Sequence, residues 1–416
     1  MIKGFSNLKG FVLGEKLPHT FSPQIHSLLA DYSYGIKEVA PKDLEHFMLS
    51  CEFDFLNVTI PYKKDVIKYL ASLSPEAQAI GAVNTVKRMP DGSLRGFNTD
   101  YYGFEYTLKK SHLDVSGKKA LVLGSGGASM PVKAVLKNLG VSEIITVSRS
   151  GEDNYENISK HFDAEIIVNT TPVGMFPNNE AKLIDLRQFN ACIGIVDIIY
   201  NPQKTALLLE AESLGIKYCG GLSMLVAQAK KAAEIFTDRS IDDTEIERIE
   251  KTISYDMTNI VLIGMPSSGK TTIGKIISEK TNKPFFDSDE EFEKCFSVTP
   301  AEAIDKLGVD KFRKMEHSVV KELGKKSGCV ISTGGGIVTR KENYAPLHQN
   351  GVIFFVERDL KKLTSTNRPI SKSVGIEKLY SERLPLYIDF SDRRIYNNST
   401  AENAANEIIA LAKSGV

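Results

Sequence analysis

Residues 264–271 read Gly-Met-Pro-Ser-Ser-Gly-Lys-Thr and directly follow the apolar run Asn259-Ile260-Val261-Leu262-Ile263. The spacing GxxxxGK[ST], between a strand and a helix, wraps backbone N–H groups around phosphates. It also brings a lysine to neutralise them and a hydroxyl to Mg²⁺. Pro266, Ser267, Ser268, Gly269, Lys270, Thr271 and Thr272 are therefore candidate ATP contacts, with Thr271 at the metal. A second loop, Gly124-Ser125-Gly126-Gly127-Ala128-Ser129, follows Ala120-Leu121-Val122-Leu123, with Ser129 where the third glycine of GxGxxG would stand. The next candidate strand, Ile144–Val147, ends in Ser148-Arg149-Ser150. In a dinucleotide fold an acid at that tip bonds the ribose 2′-hydroxyl, whereas a guanidinium fork suits a 2′-phosphate; the residues favour NADP over NAD.

Four polar clusters precede the glycine loops or lie between strands: HTFSPQIH (19–26), NVTIPYKK (57–64), GAVNT (81–85) and GFNTD (96–100). Singly each reads as turn or cap residues; together they are able to line a cleft beside a nicotinamide ring. Beyond the second loop, Phe285-Phe286-Asp287-Ser288-Asp289 reads as a strand whose two acids share a face, one for metal-bound water and one for a substrate hydroxyl. Then come Phe312-Arg313-Lys314-Met315-Glu316, Gly334-Gly335-Gly336, Arg368-Pro369 and Glu382-Arg383-Leu384-Pro385-Leu386-Tyr387.

The elements that must position these residues alternate in type. Short Val/Ile-rich runs at 53–58, 119–123, 144–147, 166–169, 193–197, 255–264, 329–332 and 352–356 are separated by helical patterns, which predicts an α/β fold with largely parallel sheets. At 416 residues the chain is long enough for two or three lobes. The stretch Ile241–Ile253 puts Ile246, Ile249 and Ile253 on one stripe, which predicts a helix closing the first half and leaves 254–258 as a short linker. With 52 basic and 52 acidic side chains there is no net field for nucleic acid or an anionic membrane, so small molecules are the expected partners. Five scattered cysteines form no CxxC pair, and the histidines show no zinc spacing. No signal-peptide or membrane-spanning run is evident, and the expected location is the cytoplasm.

Over about residues 1–250 the chain resembles the shikimate dehydrogenase family, through NVTIPYK, GAVNT, GFNTD, the glycine loop, NTTPVGM (169–175), DIIYNP (197–202) and GGLSMLVAQ (220–228). The resemblance implies NADPH-dependent reduction of 3-dehydroshikimate to shikimate. It places the catalytic lysine and its partner aspartate at Lys63 and Asp100, and the carboxylate-binding hydroxyls at Thr20 and Ser22. Ring-hydroxyl contacts fall on Thr59, Asn84 and Gln228, with Tyr200 near the substrate, Met224 near the nicotinamide and Gly221 among the NADP contacts. Gly124, Ser125, Gly126, Gly127, Ala128, Ser148, Arg149 and Ser150 would bind NADP.

Residues from about 258 to 416 resemble shikimate kinase, which phosphorylates the 3-hydroxyl of shikimate from ATP. There Asp289 would meet the acceptor hydroxyl, Asp287 would support Mg²⁺ through water, and Arg313 and Arg383 would clamp the carboxylate. Gly335 and Gly336 would let the backbone approach the ring, and Arg368 would be the lid arginine. The implied organisation is a substrate domain over 1–103 with return helices at 222–253, a Rossmann domain over 104–221, and a P-loop kinase domain with a central parallel sheet over 259–416. Two other readings share these motifs: a quinate-preferring dehydrogenase half, and a metabolite-sensing regulator without turnover.

Overall fold

The computed structural model describes residues 1–17, 20–363 and 375–414. The chain divides into two compact units. The first comprises Met1–Val173, Lys182–Tyr200 and Glu210–Ile253, and the second Gly174–Ala181, Asn201–Leu209 and Ser254–Val416.

The first unit holds two sheets. One contains β1 (Lys9–Gly14), β2 (Ser33–Glu38), β3 (Phe55–Val58), β4 (Ser72–Leu73), β5 (Thr85–Arg88) and β6 (Leu94–Phe97), in the order β2-β1-β3-β5-β6-β4. It is mixed: β5 runs antiparallel to both β3 and β6. The other is fully parallel, with β7 (Lys119–Leu123), β8 (Glu143–Val147), β9 (Ile166–Asn169), β10 (Gly194–Asp197) and β11 (Lys217–Cys219) in the order β11-β10-β9-β7-β8. Strand order reverses between β7 and β9, and ligands of such sheets bind outside the carboxyl ends at that switch point. The glycine loop 124–129 leaves β7 there. Helices Asp100–Ser111 and Leu222–Thr237 cross closely, since a Cβ added at Gly103 would lie 2.7 Å from Met224 O.

The second unit is built on one parallel sheet, β12 (Asn259–Ile263), β13 (Phe285–Asp287), β14 (Val330–Ser332), β15 (Gly351–Glu357) and β16 (Arg393–Tyr396), in the order β13-β14-β12-β15-β16. All five residues of central β12 are buried, as expected of a parallel strand covered on both faces. Ile263, Phe355 and Tyr387 share one core with Val320 and Ile331, and Ile260, Leu262 and Phe354 another with Ile273 and Ile408.

Three local expectations are corrected. The closing helix of the first half runs Thr244–Met257, so 254–257 is its last turn rather than linker or strand. Met257 continues the buried positions Ile246, Ile249 and Ile253, and no Gly or Pro stops the helix earlier. The acids of 285–289 do not share a strand face: β13 ends at Asp287, whose side chain caps the helix Ser288–Phe296, and Asp289 lies in that helix's first turn. Finally, segments 174–181 and 201–209, inside the range read as the dinucleotide domain, belong to the second unit. There Lys204 N–H donates to Gln349 O and Gln349 Nε2 to Asn179 O, both at 2.9 Å. Among the described residues no helix is long and apolar enough to cross a membrane, and no group of three or more His, Cys, Asp or Glu is placed to hold a metal.

Candidate active sites

In the first unit, the chain leaving β3 turns at Thr59–Lys64. Buried Tyr62 anchors the turn through its hydroxyl on Val39 O, and Lys63 O accepts from Val83 N–H at 2.8 Å. Lys63 is thereby aimed at Asp100, the first residue of helix Asp100–Ser111. Its Nζ lies 2.6 Å from Asp100 Oδ2, with side chains 19% and 12% exposed. A carboxylate in the first helical turn is stabilised by the helix dipole. The result is a half-buried, charge-assisted hydrogen bond able to hold a transferable proton.

Two further polar groups hold predicted site residues. Thr20 and Ser22 meet at the start of helix Ser22–Leu29, Thr20 Oγ1 lying 3.2 Å from both Ser22 Oγ and Ser22 N. Between them Phe21 meets Tyr200 edge-on at 6.2 Å, and burial pushes the Tyr200 phenol up. The other group centres on Asn84, whose Oδ1 accepts from Thr99 N–H at 2.7 Å and from the Thr85 hydroxyl at 3.0 Å. Asn84 Nδ2 donates to Thr99 Oγ1 at 3.1 Å, and the Thr99 hydroxyl reaches Gln228 Oε1 at 3.3 Å. Thr59 is fixed by its own N–H on Leu13 O at 2.9 Å, with no side-chain bond to either group among the described residues.

The dinucleotide loop has the space its proposed occupant needs. A Cβ added at Gly126 or Gly127 would meet no atom within 4 Å, leaving that face open to a pyrophosphate. Gly124, at φ 102°, passes Thr170 so closely that a side chain there would lie 2.9 Å from Thr170 Oγ1. Ser125 is exposed and Ala128 partly so, while at the tip of β8 Ser148 is partly covered and Arg149 and Ser150 are exposed. Met224 is 8% exposed and packs into an apolar core with Phe104, Val122 and Val168. Gly221 N–H is bonded to Ile199 O at 2.9 Å.

In the second unit the loop after β12 has the strained backbone of a phosphate cradle, with Gly264 at φ 147°, Ser267 at φ 66° and Gly269 at φ 100°. Lys270 Nζ crosses it, donating to Gly264 O at 3.0 Å and Met265 O at 2.9 Å. Ser268 Oγ is buried with no hydrogen-bond partner among the described residues. Thr272 is exposed in the first turn of helix Lys270–Thr281. Thr271 Oγ1 donates to Asp287 Oδ2 at 2.9 Å. One hydroxyl beside one carboxylate fits Mg²⁺, which fills its octahedron mostly with water and phosphate oxygens.

Opposite stands a buried ionic cluster. Arg313 Nη1 bonds Glu316 Oε2 at 2.6 Å, Arg383 Nη1 donates to Gly335 O at 2.9 Å, and the Tyr387 hydroxyl also donates to Gly335 O. Burial raises the Glu316 carboxyl against the pull of Arg313, and burial lowers Arg383, where the neighbouring Arg313 acts in the same sense. Tyr387 is pushed up to about 12 by burial. Asp289 joins the cluster at Gly334, where an added Cβ would lie 2.8 Å from Asp289 Oδ1 and 3.2 Å from Glu316 Oε1. Two guanidiniums, a carboxylate at a helix start and a phosphate loop together suit an anionic hydroxy acid as phosphoryl acceptor. Arg368 lies outside the described residues.

Several residues here escaped the sequence reading. Asn57, Thr85 and Thr99 sat inside quoted motifs without a role, as did Glu316 and Tyr387. Asn397 Nδ2 donates to Ser268 O at 2.8 Å and Arg358 Nη1 to Ser267 O at 3.3 Å, both bracing the phosphate loop from the far ends of β16 and β15. Neither has a local motif that would betray it.

The fold and sites define an NADP-type α/β dehydrogenase followed by a P-loop kinase of a small hydroxy acid. Residues 12–86 match the family model for the shikimate dehydrogenase substrate binding domain, and residues 266–413 that for shikimate kinase. The shikimate dehydrogenase (NADP(+)) of Clostridium beijerinckii is 38% identical over 252 residues, covering 56% of this chain and 93% of that protein. That of Caldicellulosiruptor bescii is 38% identical over 258 residues, covering 55% and 89%. Among solved structures, a chorismate mutase/shikimate 5-dehydrogenase fusion protein from Clostridium acetobutylicum gives a TM-score of 0.57 at 35% identity, covering 59% of this chain and 96% of that one. Shikimate 5-dehydrogenase from Thermus thermophilus, in complex with NADP(H) and shikimate, gives 0.54 at 30% identity, covering 61% and 99%. The chain belongs to the shikimate dehydrogenase family, with a shikimate kinase domain following in the same polypeptide.

Proposed function

We propose that the chain is a bifunctional enzyme: its first unit reduces 3-dehydroshikimate to shikimate with NADPH, and its second phosphorylates shikimate with ATP. The observation that carries this reading is the presence in one polypeptide of the Lys63–Asp100 pair and of the Asp289–Arg313–Arg383 cluster facing a P-loop. When bound, NADPH supplies a hydride and ATP a phosphoryl group. Lys63, held by Asp100, gives a proton to the carbonyl oxygen as it becomes an alkoxide; such transfer is worth about 10²–10⁴-fold. Thr20 and Ser22 receive the carboxylate, while Asn84, Thr59 and Gln228 orient the ring, with Tyr200 closing over it. Ser148, Arg149 and Ser150 take the 2′-phosphate.

In the second unit Arg313 and Arg383 grip the carboxylate of the acceptor and Asp289 takes or positions its hydroxyl proton. Lys270 neutralises charge on the transferring group, and Thr271 with Asp287 holds Mg²⁺. Arg368 would supply further positive charge from the lid. Intact acid–base and phosphate-binding residues support turnover over mere sensing, and the named relatives support shikimate over quinate. Balanced charge and free cysteines support a cytoplasmic enzyme acting on small molecules.

The test measures NADP-linked oxidation of shikimate and shikimate-dependent ADP release on the whole chain. Lys63→Met should cut the first by at least about 10²-fold and spare the second. Lys270→Ala should do the reverse. Joint loss in either variant, or loss in neither, defeats the two-site reading.

A further inference from the structure

We propose that Tyr34, a residue of β2, is a positioning residue of the dehydrogenase site: through Asn57 and Thr85 it fixes which atoms of Asn84 and Gln228 face the substrate. The inference rests on the reading of Asn84 and Gln228 as substrate contacts. Tyr34 stacks on buried His26, ring centroids 3.9 Å apart at 11°, and burial raises its phenol, so the hydroxyl keeps its proton. It donates to Asn57 Oδ1 at 2.7 Å. That turns Asn57 Nδ2 toward Thr85 Oγ1, 3.3 Å away.

Donor and acceptor counting then propagates the polarity. Thr85 Oγ1 accepts from Asn57 and spends its one proton on Asn84 Oδ1 at 3.0 Å. Thr99 N–H takes the other lone pair of Asn84 Oδ1, and Nδ2 gives one N–H to Thr99 Oγ1 and keeps a second to donate. Thr99 Oγ1 stands 3.2 Å from Asn84 Oδ1, 3.2 Å from Thr85 Oγ1 and 3.3 Å from Gln228 Oε1. With both Asn84 Oδ1 lone pairs and the Thr85 proton taken, counting assigns its proton to Gln228 Oε1, and Gln228 Nε2 keeps one N–H beyond the one it gives Leu225 O. Both amides therefore offer donors. Asn57, Thr85, Asn84 and Thr99 are all buried, so no solvent competes for these bonds. Without the Tyr34 proton the Asn57 amide keeps only the neighbouring His26 imidazole as a side-chain partner on that side and is able to flip, drawing the Thr85 hydroxyl away from Asn84. Thr99 Oγ1, 3.2 Å from Asn84 Oδ1, then replaces it and abandons Gln228.

Tyr34→Phe keeps the stacked ring and removes only the donor. In the full-length protein it should raise the KM for shikimate about 3- to 10-fold, the range of one neutral hydrogen bond, with kcat within about twofold and kinase constants unchanged. Asn84→Ala is assayed beside it with mono-deoxy analogues of shikimate. The analogue whose kcat/KM Asn84→Ala leaves unchanged should lose less to Tyr34→Phe than shikimate does, the remaining loss passing through Gln228. If Asn84→Ala raises KM and Tyr34→Phe does not, the relay is wrong. If Asn84→Ala has no effect, the contact reading fails instead. Equal losses on shikimate and on that analogue, with a lower Tm, reduce Tyr34 to a packing role and overturn the proposal.

Discussion

Gly336→Ala tests the kinase site through space alone. The residue has φ −103° and ψ 5°, which alanine adopts, so the backbone sets no barrier. Its added Cβ, however, would stand 1.8 Å from Arg313 Nη2, 2.4 Å from Cζ and 2.6 Å from Nη1. Restoring ordinary contact at 3.4 Å requires the guanidinium to withdraw by about 1.6 Å. Arg313 is 9% exposed and tied to Glu316, itself 4% exposed, by a 2.6 Å bond, so withdrawal breaks a buried charge-assisted hydrogen bond. Such a bond is worth about 1.5–3 kcal/mol, and kcat/KM for shikimate in the kinase reaction should fall about 10- to 150-fold. Steady-state kinetics with shikimate and ATP varied separately should put the loss on shikimate, with the KM for ATP within about twofold and the dehydrogenase reaction untouched. Retention of kcat/KM within twofold, or an equal loss toward ATP, would refute Arg313 as a carboxylate clamp.

Two further outcomes are expected. Asn397→Ala removes the donor to Ser268 O and should raise the KM for ATP about 3- to 10-fold while sparing that for shikimate, read by the same kinetics. Burial lowers the His26 imidazole from 6.5 to about 3, so below pH 6.5 the unfolded chain takes up a proton that the native state refuses. Stability is thus intact above about pH 6.5 and is lost as pH falls toward about 3, by at most about 5 kcal/mol. Denaturant midpoints of the first unit's transition between pH 7 and 4 should fall more steeply for the wild type than for His26→Gln; parallel slopes would count against a neutral buried His26.

What was legible from the residues is what a short stretch encodes. GxxxxGKT dictates a phosphate loop because its backbone angles and its lysine lie within eight consecutive residues, and Ser267 and Gly269 do take positive φ. The alternating apolar runs likewise announce parallel α/β sheets, since burial on both faces leaves near-continuous Val and Ile. Some local signals were present and passed over. Pro90-Asp91-Gly92 marks the turn of the antiparallel β5–β6 pair, and the acids after Asp287 mark a helix start rather than a strand. The pairing of Lys63 with Asp100 came from family resemblance; nothing local joins residues 37 apart.

Tertiary structure alone decided the rest. Asn397 and Arg358 reach the phosphate loop only because β15 and β16 lie on one side of β12. Gln228 meets Thr99 because two helices cross where Gly103 has no side chain. Tyr34 meets Asn57 because β1 separates β2 from β3 by a single strand. Residue types set which bonds are possible, but burial and strand order choose the partners, because a buried donor must find its acceptor among whatever the fold brings within about 3 Å.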